Sequence, residues 1–232
     1  MPKMLVWVAS FPRSGNTFLR IALHRLYGIR TSVVYDIDGV AQRLGPRTVG
    51  FEARPASIAE MRTSDLQHFV KTHRRRDDDV RDGDRVICLV RDGRDALVSW
   101  ARQRCEEPGR DFRAELERML VLDKPRGTGS WGDTTLSWLQ PPMPHRAVLR
   151  YEHLVSDPQG AVRGFLSELD LRQALVAGAS VPSFAQLRLL DPSFFRRGMV
   201  GSYRDEMPDD LHRLFWSRRD NAMAMALLGY AP

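Results

Sequence analysis

Five stretches of this chain stand out, and four of them, all but the one at Tyr151, carry residue types suited to holding an anion or moving a proton. The first is Pro12-Arg13-Ser14-Gly15-Asn16-Thr17-Phe18, where the apolar run Leu5-Val6-Trp7-Val8-Ala9 breaks and then resumes as Leu19, Ile21, Ala22 and Leu23. That pattern predicts a buried strand, a tight polar loop and an amphipathic helix. Such a loop puts free backbone N–H groups, two hydroxyls and a guanidinium at a helix N-terminus, where orphan donors and the helix dipole both favour negative charge. The second stretch is Lys71-Thr72-His73, after Phe69-Val70. A histidine at a strand end can act as a general base because its pKa lies near neutrality. The third runs from Arg91 through Asp92, Arg94 and Asp95 to Ser99, and Arg91 and Ser99 could grip one phosphate between them. The fourth is Tyr151-Glu152 followed by Asp157-Pro158, and the fifth is Phe195-Arg196-Arg197-Gly198, a basic loop with a second glycine at Gly201.

Each stretch has a plainer reading when taken alone. Ser14 or Asn16 could simply cap a helix. His73 could face solvent beside Arg74, Arg75 and Arg76. The alternating charges after Arg91 could be helix-surface pairs worth about 0.2–0.5 kcal/mol each. The first loop also lacks a nucleotide-triphosphatase lysine, since Asn16 follows Gly15, and the second strong strand ends in Arg91 rather than a magnesium-binding aspartate. Arginine and backbone amides without metal ligands suit a substrate that needs no Mg²⁺.

The elements that must position these residues alternate between strand and helix. Strands are expected at 4–10, 67–71, 85–90 and 147–151, with helices at 16–27, 57–64, 92–104, 111–122, 131–139, 158–169, 171–178, 183–190 and 208–228. Residues 29–56, 74–84, the Gly-rich 127–130 and 192–207 read as loops. Alternation of this kind implies βαβ units and a mainly parallel sheet, with ligands beyond the carboxyl ends of the strands. Length, at 232 residues, suits one domain, and 43% hydrophobic with 28% charged residues is an ordinary globular balance. The net charge of +6 favours anionic ligands. Two cysteines, Cys88 in an apolar run and Cys105, make neither a disulfide framework nor a metal site. No apolar stretch reaches membrane-spanning length, and the first apolar run leads straight into the anion loop, so a cytoplasmic protein is expected, with no membrane or nucleic-acid partner.

In this order, the five stretches resemble the sulfotransferases that use 3′-phosphoadenosine 5′-phosphosulfate (PAPS), over roughly residues 5 to 205. The resemblance implies a P-loop-like three-layer α/β domain with a central, mainly parallel sheet. It implies that Arg13, Ser14, Gly15, Asn16 and Thr17 bind the 5′-phosphosulfate, and that Phe18 and Tyr151 lie by the adenine. Arg91 and Ser99 would take the 3′-phosphate, joined by Arg196, Arg197 and Gly198. His73 would remove the acceptor proton, with Lys71 beside it. The acceptor would be a hydroxyl or amine of a small molecule or natural product, the nucleotide product 3′,5′-ADP (PAP), and no metal is expected. A sulfuryl group carries less charge than a phosphoryl group, so fixed cations can replace Mg²⁺. Arg13 stands where the family has lysine and is expected to act electrostatically, because a guanidinium does not readily give up a proton. Acceptor walls are expected within 29–66 and 105–145, including Phe51, Trp131 and Trp138. The rival readings are a P-loop small-molecule kinase and a non-catalytic polyanion-binding domain.

Overall fold

The computed structural model describes residues 4–54, 57–121 and 128–231. Residue 122 of the helix expected over 111–122, Gly127 of the Gly-rich loop and residues 55 and 56 of the expected loop lie outside them. In chain order the elements are β1 (Met4–Ser10), α1 (Asn16–Tyr27), β2 (Thr31–Val33), α2 (Gly39–Leu44), α3 (Ile58–Thr63), β3 (Gln67–Thr72), β4 (Arg85–Val90), α4 (Gly93–Arg104), α5 (Phe112–Val121) and α6 (Trp131–Leu139). They continue as β5 (Arg146–Arg150), α7 (Tyr151–Ser156), α8 (Pro158–Glu168), α9 (Phe184–Leu190), α10 (Tyr203–Glu206), α11 (Asp209–Ser217) and α12 (Arg219–Leu228).

The five strands form one all-parallel sheet in the order β2-β3-β1-β4-β5. Strand β1 is central and every residue of it is buried, as expected of a strand covered on both faces. Its side chains alternate. Leu5, Trp7 and Ala9 join a core with α4, α5, α6, α11 and α12, while Val6 and Val8 join a second core with α1 and α8. A third, smaller cluster holds Ile21, Ala41, Val49, Leu187, Phe194 and Phe195. Helix α1 ends at Gly28 in the left-handed conformation, with Gly28 N–H donating to His24 O and Ile29 N–H to Leu23 O.

The structure refines several of the expected elements. The stretch expected to be mostly loop, described over 29–54, is so apart from two short elements: β2 adds a strand at the sheet edge, and Asp38 caps α2 by accepting the N–H groups of Val40 and Ala41. Residues 171–178 are not helical: Asp170 is left-handed (φ 49°), and Val176 N–H is drawn to Leu26 O at the end of α1. The expected helix over 208–228 breaks at Arg218, whose extended backbone separates α11 from α12. Tyr151 starts a helix instead of ending a strand, and α10 interrupts the late loop. Among the described residues no helix is long and apolar enough to cross a membrane.

Candidate functional site

The carboxyl ends of β1, β3, β4 and β5 open into a cavity of about 820 Å³. Into it project Arg13, Lys71, His73, Arg91, Tyr151 and Arg196, so all five stretches singled out in the sequence meet at one place. Of the expected site residues, Ser14 alone does not line it. The parallel sheet explains the convergence: its strands all point the same way, so the residues that follow them share one edge.

The β1–α1 turn is rigid and rich in unspent donors. Arg13 (φ 64°) and Gly15 (φ 99°) both occupy the left-handed region, which lets the chain reverse within a few residues. A Cβ on Gly15 would lie 2.5 Å from Tyr151 Cδ2, so only glycine lets the buried tyrosine ring pack there. No side chain caps α1. The Asn16 amide anchors the turn by donating to Ser10 Oγ (3.1 Å). Ser14 Oγ is buried without a partner, and so is Arg91 Nε at the end of β4. Buried polar atoms are almost always paired, so the orphan on Arg91, which lines the cavity, marks a place where a polar ligand can complete the pairing.

Arg13 does not extend into open space. Its Nε donates to Ser99 Oγ (3.2 Å), its Nη2 donates to Phe194 O (2.9 Å), and its guanidinium lies 4.5 Å from the Phe194 ring centroid. Burial, and then the nearby charge of Arg91, lower its pKa to about 10, so it remains a cation at neutral pH. Arg91 donates to the carbonyls of Arg13 (3.0 Å) and Met199 (3.1 Å), lies 3.6 Å from Asp95 and stacks on Tyr151. Asp95 in turn accepts the N–H groups of Gly201 (2.8 Å) and Tyr203 (2.9 Å), which ties the late loop to α4. Within that loop Arg196 is paired with Glu206 (2.6 Å), and Arg197 with Asp205 (2.8 Å) and Glu206 (3.1 Å). Gly198 is left-handed (φ 64°), and a Cβ there would fall 2.2 Å from the Phe184 ring.

Across the cavity sit Lys71 and His73. His73 Nδ1 is 2.8 Å from Ser10 O. A carbonyl only accepts, so Nδ1 carries the proton and Nε2 keeps its lone pair. Burial, reinforced by the charge of Lys71, holds the His73 pKa well below 6.5, which keeps the ring neutral. Burial likewise brings Lys71 down to about 8, with Arg20 adding to the shift and Asp38 opposing it. The Lys71 ammonium lies 5.0 Å from the Tyr35 ring, and Tyr35 Oη accepts the His73 N–H (2.7 Å).

Sequence reasoning missed several residues here. Arg20 and Asp38 form a buried ion pair (2.6 Å), with Arg20 Nε donating to Thr31 Oγ1 (2.7 Å). Burial alone would raise the Asp38 pKa, but the Arg20 hydrogen bond and charge overrule it and hold the carboxyl below its usual range. Tyr35, Arg43, Trp100, Phe184 and Phe194 were also not singled out. Only Asp38-Gly39 carried a local signal, as a helix cap. The expected wall residues Trp131 and Trp138 are core instead: both are 2% exposed, on the α6 side of the sheet. Phe51 packs against the small third cluster. The outer cavity is lined instead by Ile37, Val40 and Arg43 of the α2 region and by Trp100 and Gln103 of α4.

An edge of backbone donors and cations facing a neutral, oriented imidazole can hold a multiply charged anion beside a proton acceptor. A family model for the sulfotransferase domain matches residues 4–225, and the chain belongs to that family. It is thus an enzyme of sulfuryl transfer. No curated protein sequence matches the chain. Among solved structures, mouse sulfotransferase SULT7A1 complexed with PAP is similar in fold, with a TM-score of 0.63 and 16% identity over 100% of this chain and 90% of that one. Retinol dehydratase in complex with androsterone and the inactive cofactor PAP gives a TM-score of 0.60 and 16% identity over 97% and 81% of the two chains. The sulfotransferase domain of the Synechococcus PCC 7002 olefin synthase gives 0.53 and 16% over 100% and 96%.

Proposed function

We propose that the enzyme transfers a sulfuryl group from PAPS to a hydroxyl or amine of a small-molecule acceptor, with His73 as the general base. The observation that carries this reading is the His73 imidazole, held neutral with its Nδ1–H on Ser10 O in the same cavity as the β1–α1 turn. The residues fit the nucleotide: the unpaired Arg91 Nε belongs to a residue lining the cavity, beside a turn that packs on Tyr151 only with glycine at position 15. In this reading the turn amides with Arg13 hold the 5′-phosphosulfate, Arg91, Ser99 and the Arg196–Gly198 segment hold the 3′-phosphate, and Phe18 and Tyr151 flank the adenine. The acceptor S–O or S–N bond forms as the S–O bond to the 5′-phosphate breaks. The acceptor proton passes to His73 Nε2, while Arg13 and Lys71 offset the charge that develops on the leaving phosphate.

The test is thermal stabilisation by 3′,5′-ADP, by ATP with Mg²⁺ and by DNA, followed by transfer of ³⁵S from labelled PAPS to an acceptor panel. Stabilisation by 3′,5′-ADP alone, with label transfer that persists in EDTA, is expected. Stabilisation only by ATP with Mg²⁺ would favour a kinase, and failure of every acceptor to take label would overturn the transfer reading.

A further inference from the structure

Resting on that reading of Arg13, we infer that Phe194 and Arg43 are positioning residues: an Asp191–Arg43–Glu106 clasp at the cavity mouth fixes Phe194, and Phe194 sets the plane and reach of the Arg13 guanidinium.

The observations form a chain of contacts. Arg43, in the last turn of α2, donates its fork to Asp191 (Nε to Oδ2 2.5 Å, Nη2 to Oδ1 3.0 Å), its Nη1 to Glu106 (2.7 Å) and its Nη2 to Ser193 Oγ (2.6 Å). Three segments distant in sequence are joined by this one side chain. Asp191 Oδ1 also accepts the Phe194 N–H (2.9 Å), so the clasp reaches the Phe194 backbone directly. The Phe194 carbonyl then takes one Arg13 N–H (2.9 Å). The Phe194 ring has two guanidiniums near it, Arg13 at 4.5 Å and Arg43 at 5.1 Å from its centroid.

The chemistry of Arg13 explains why such a support is needed. A lysine presents a compact charge on a flexible stem, whereas a guanidinium is planar and acts only where its fork points. Two of its five N–H groups are committed, to Ser99 Oγ and to Phe194 O, and both acceptors are neutral. A carboxylate in their place would cancel the charge. A π face and a carbonyl instead orient a buried cation and leave that charge for a ligand. Arg43 would repel the nearby Arg13, but its charge is offset by Asp191 and Glu106. The clasp therefore does two things: it holds Phe194 and screens a second cation that would otherwise unsettle the first.

The test is a double-mutant cycle. Phe194→Leu removes the π face and keeps the backbone carbonyl, while Arg43→Met releases the clasp. Each is expected to lower kcat about tenfold, the scale of a lost cation–π contact or a small misplacement of a charged group, with the KM for PAPS changing by less than about threefold. In an Arg13→Ala background, both substitutions are expected to lower kcat by less than about twofold further, because they act through Arg13. Equal fold losses with and without Arg13 would overturn the positioning role and leave Arg13 its charge role. Wild-type turnover in Arg13→Ala itself would overturn the reading of Arg13 on which the inference rests. Thermal melts of each variant, with and without 3′,5′-ADP, separate a folding defect from loss of positioning: a variant that melts like the wild type and keeps full kcat would also overturn it.

Discussion

The two segments that supply cations and donors to the cavity are built on different principles. The β1–α1 turn is anchored between a fully buried central strand and a core helix, and its donors are backbone N–H groups that no side chain caps. The late segment, from Phe194 to Tyr203, brings arginines whose charges are already paired with Glu206 and Asp205, and it is moored to α4 through Asp95. The first region can meet an anion with little reorganisation. On the proposed reading, the second must exchange carboxylate partners for the ligand, so a smaller net contribution per arginine is expected of it. Preorganisation, more than the number of cations, separates them.

The largest expected effect lies with the imidazole that the first region holds. His73→Ala should lower kcat by roughly 10²–10⁴-fold, the range for a lost general base, with 3′,5′-ADP binding largely kept; steady-state rates and calorimetry check both halves. Next come two arginines: Arg91, at the end of β4, which donates to Arg13 O and so backs the turn, and Arg197 of the late segment. Arg91→Ala is expected to lower affinity for 3′,5′-ADP far more than for 5′-AMP, by about 100-fold against a few-fold, because Arg91 is buried and its Nε is unpaired. Arg197→Ala should cost about tenfold or less, since Arg197 gives up Asp205 and Glu206 to bind. A loss at Arg197 equal to that at Arg91 would erase the distinction between the regions.

The matched glycines sharpen the comparison in stability. Gly15→Ala and Gly198→Ala both place a Cβ at positive φ, at about 1–2 kcal/mol of backbone strain each. Tyr151 is buried whereas Phe184 is half-buried and can give way, so Gly15→Ala should show the larger fall in Tm by calorimetry. The smallest effect concerns pH. Lys71 is charged below about pH 8 and neutral above it. Affinity for 3′,5′-ADP should therefore fall by less than about tenfold as pH rises through 8, and Lys71→Met should flatten that step in a binding titration. The same shift has the opposite sign for stability. Between about 8 and the usual 10.5 the unfolded chain holds the extra proton, so Lys71 makes the fold more stable as pH rises across that window.

Much of the fold was legible because strong strands and short-range signals coincide. β1, β3 and β4 are apolar runs, and each ends in polar residues that a parallel sheet must carry to one edge. β2 escaped notice because three residues, Thr31-Ser32-Val33, make no periodic signal; pairing to β3 makes them a strand. Trp131 and Trp138 were expected at the acceptor wall because they fall in 105–145, a stretch that carries no recognisable motif. Packing against Phe215 and Trp7 places them in the core. Phe194 and Arg43 were invisible because their roles depend on partners far away in sequence.

By itself, the sequence determined the class of fold and the family, and it singled out residues that come to line one cavity, because these rest on local order: strand, turn, helix start and the residue types in the turn. The tertiary structure alone decided how those groups are held. It committed His73 Nδ1 to Ser10 O, buried Lys71 beside the Arg20–Asp38 pair and laid Arg13 against Phe194. Those are contacts across tens to hundreds of residues, and burial and direction exist only once the chain has closed around them.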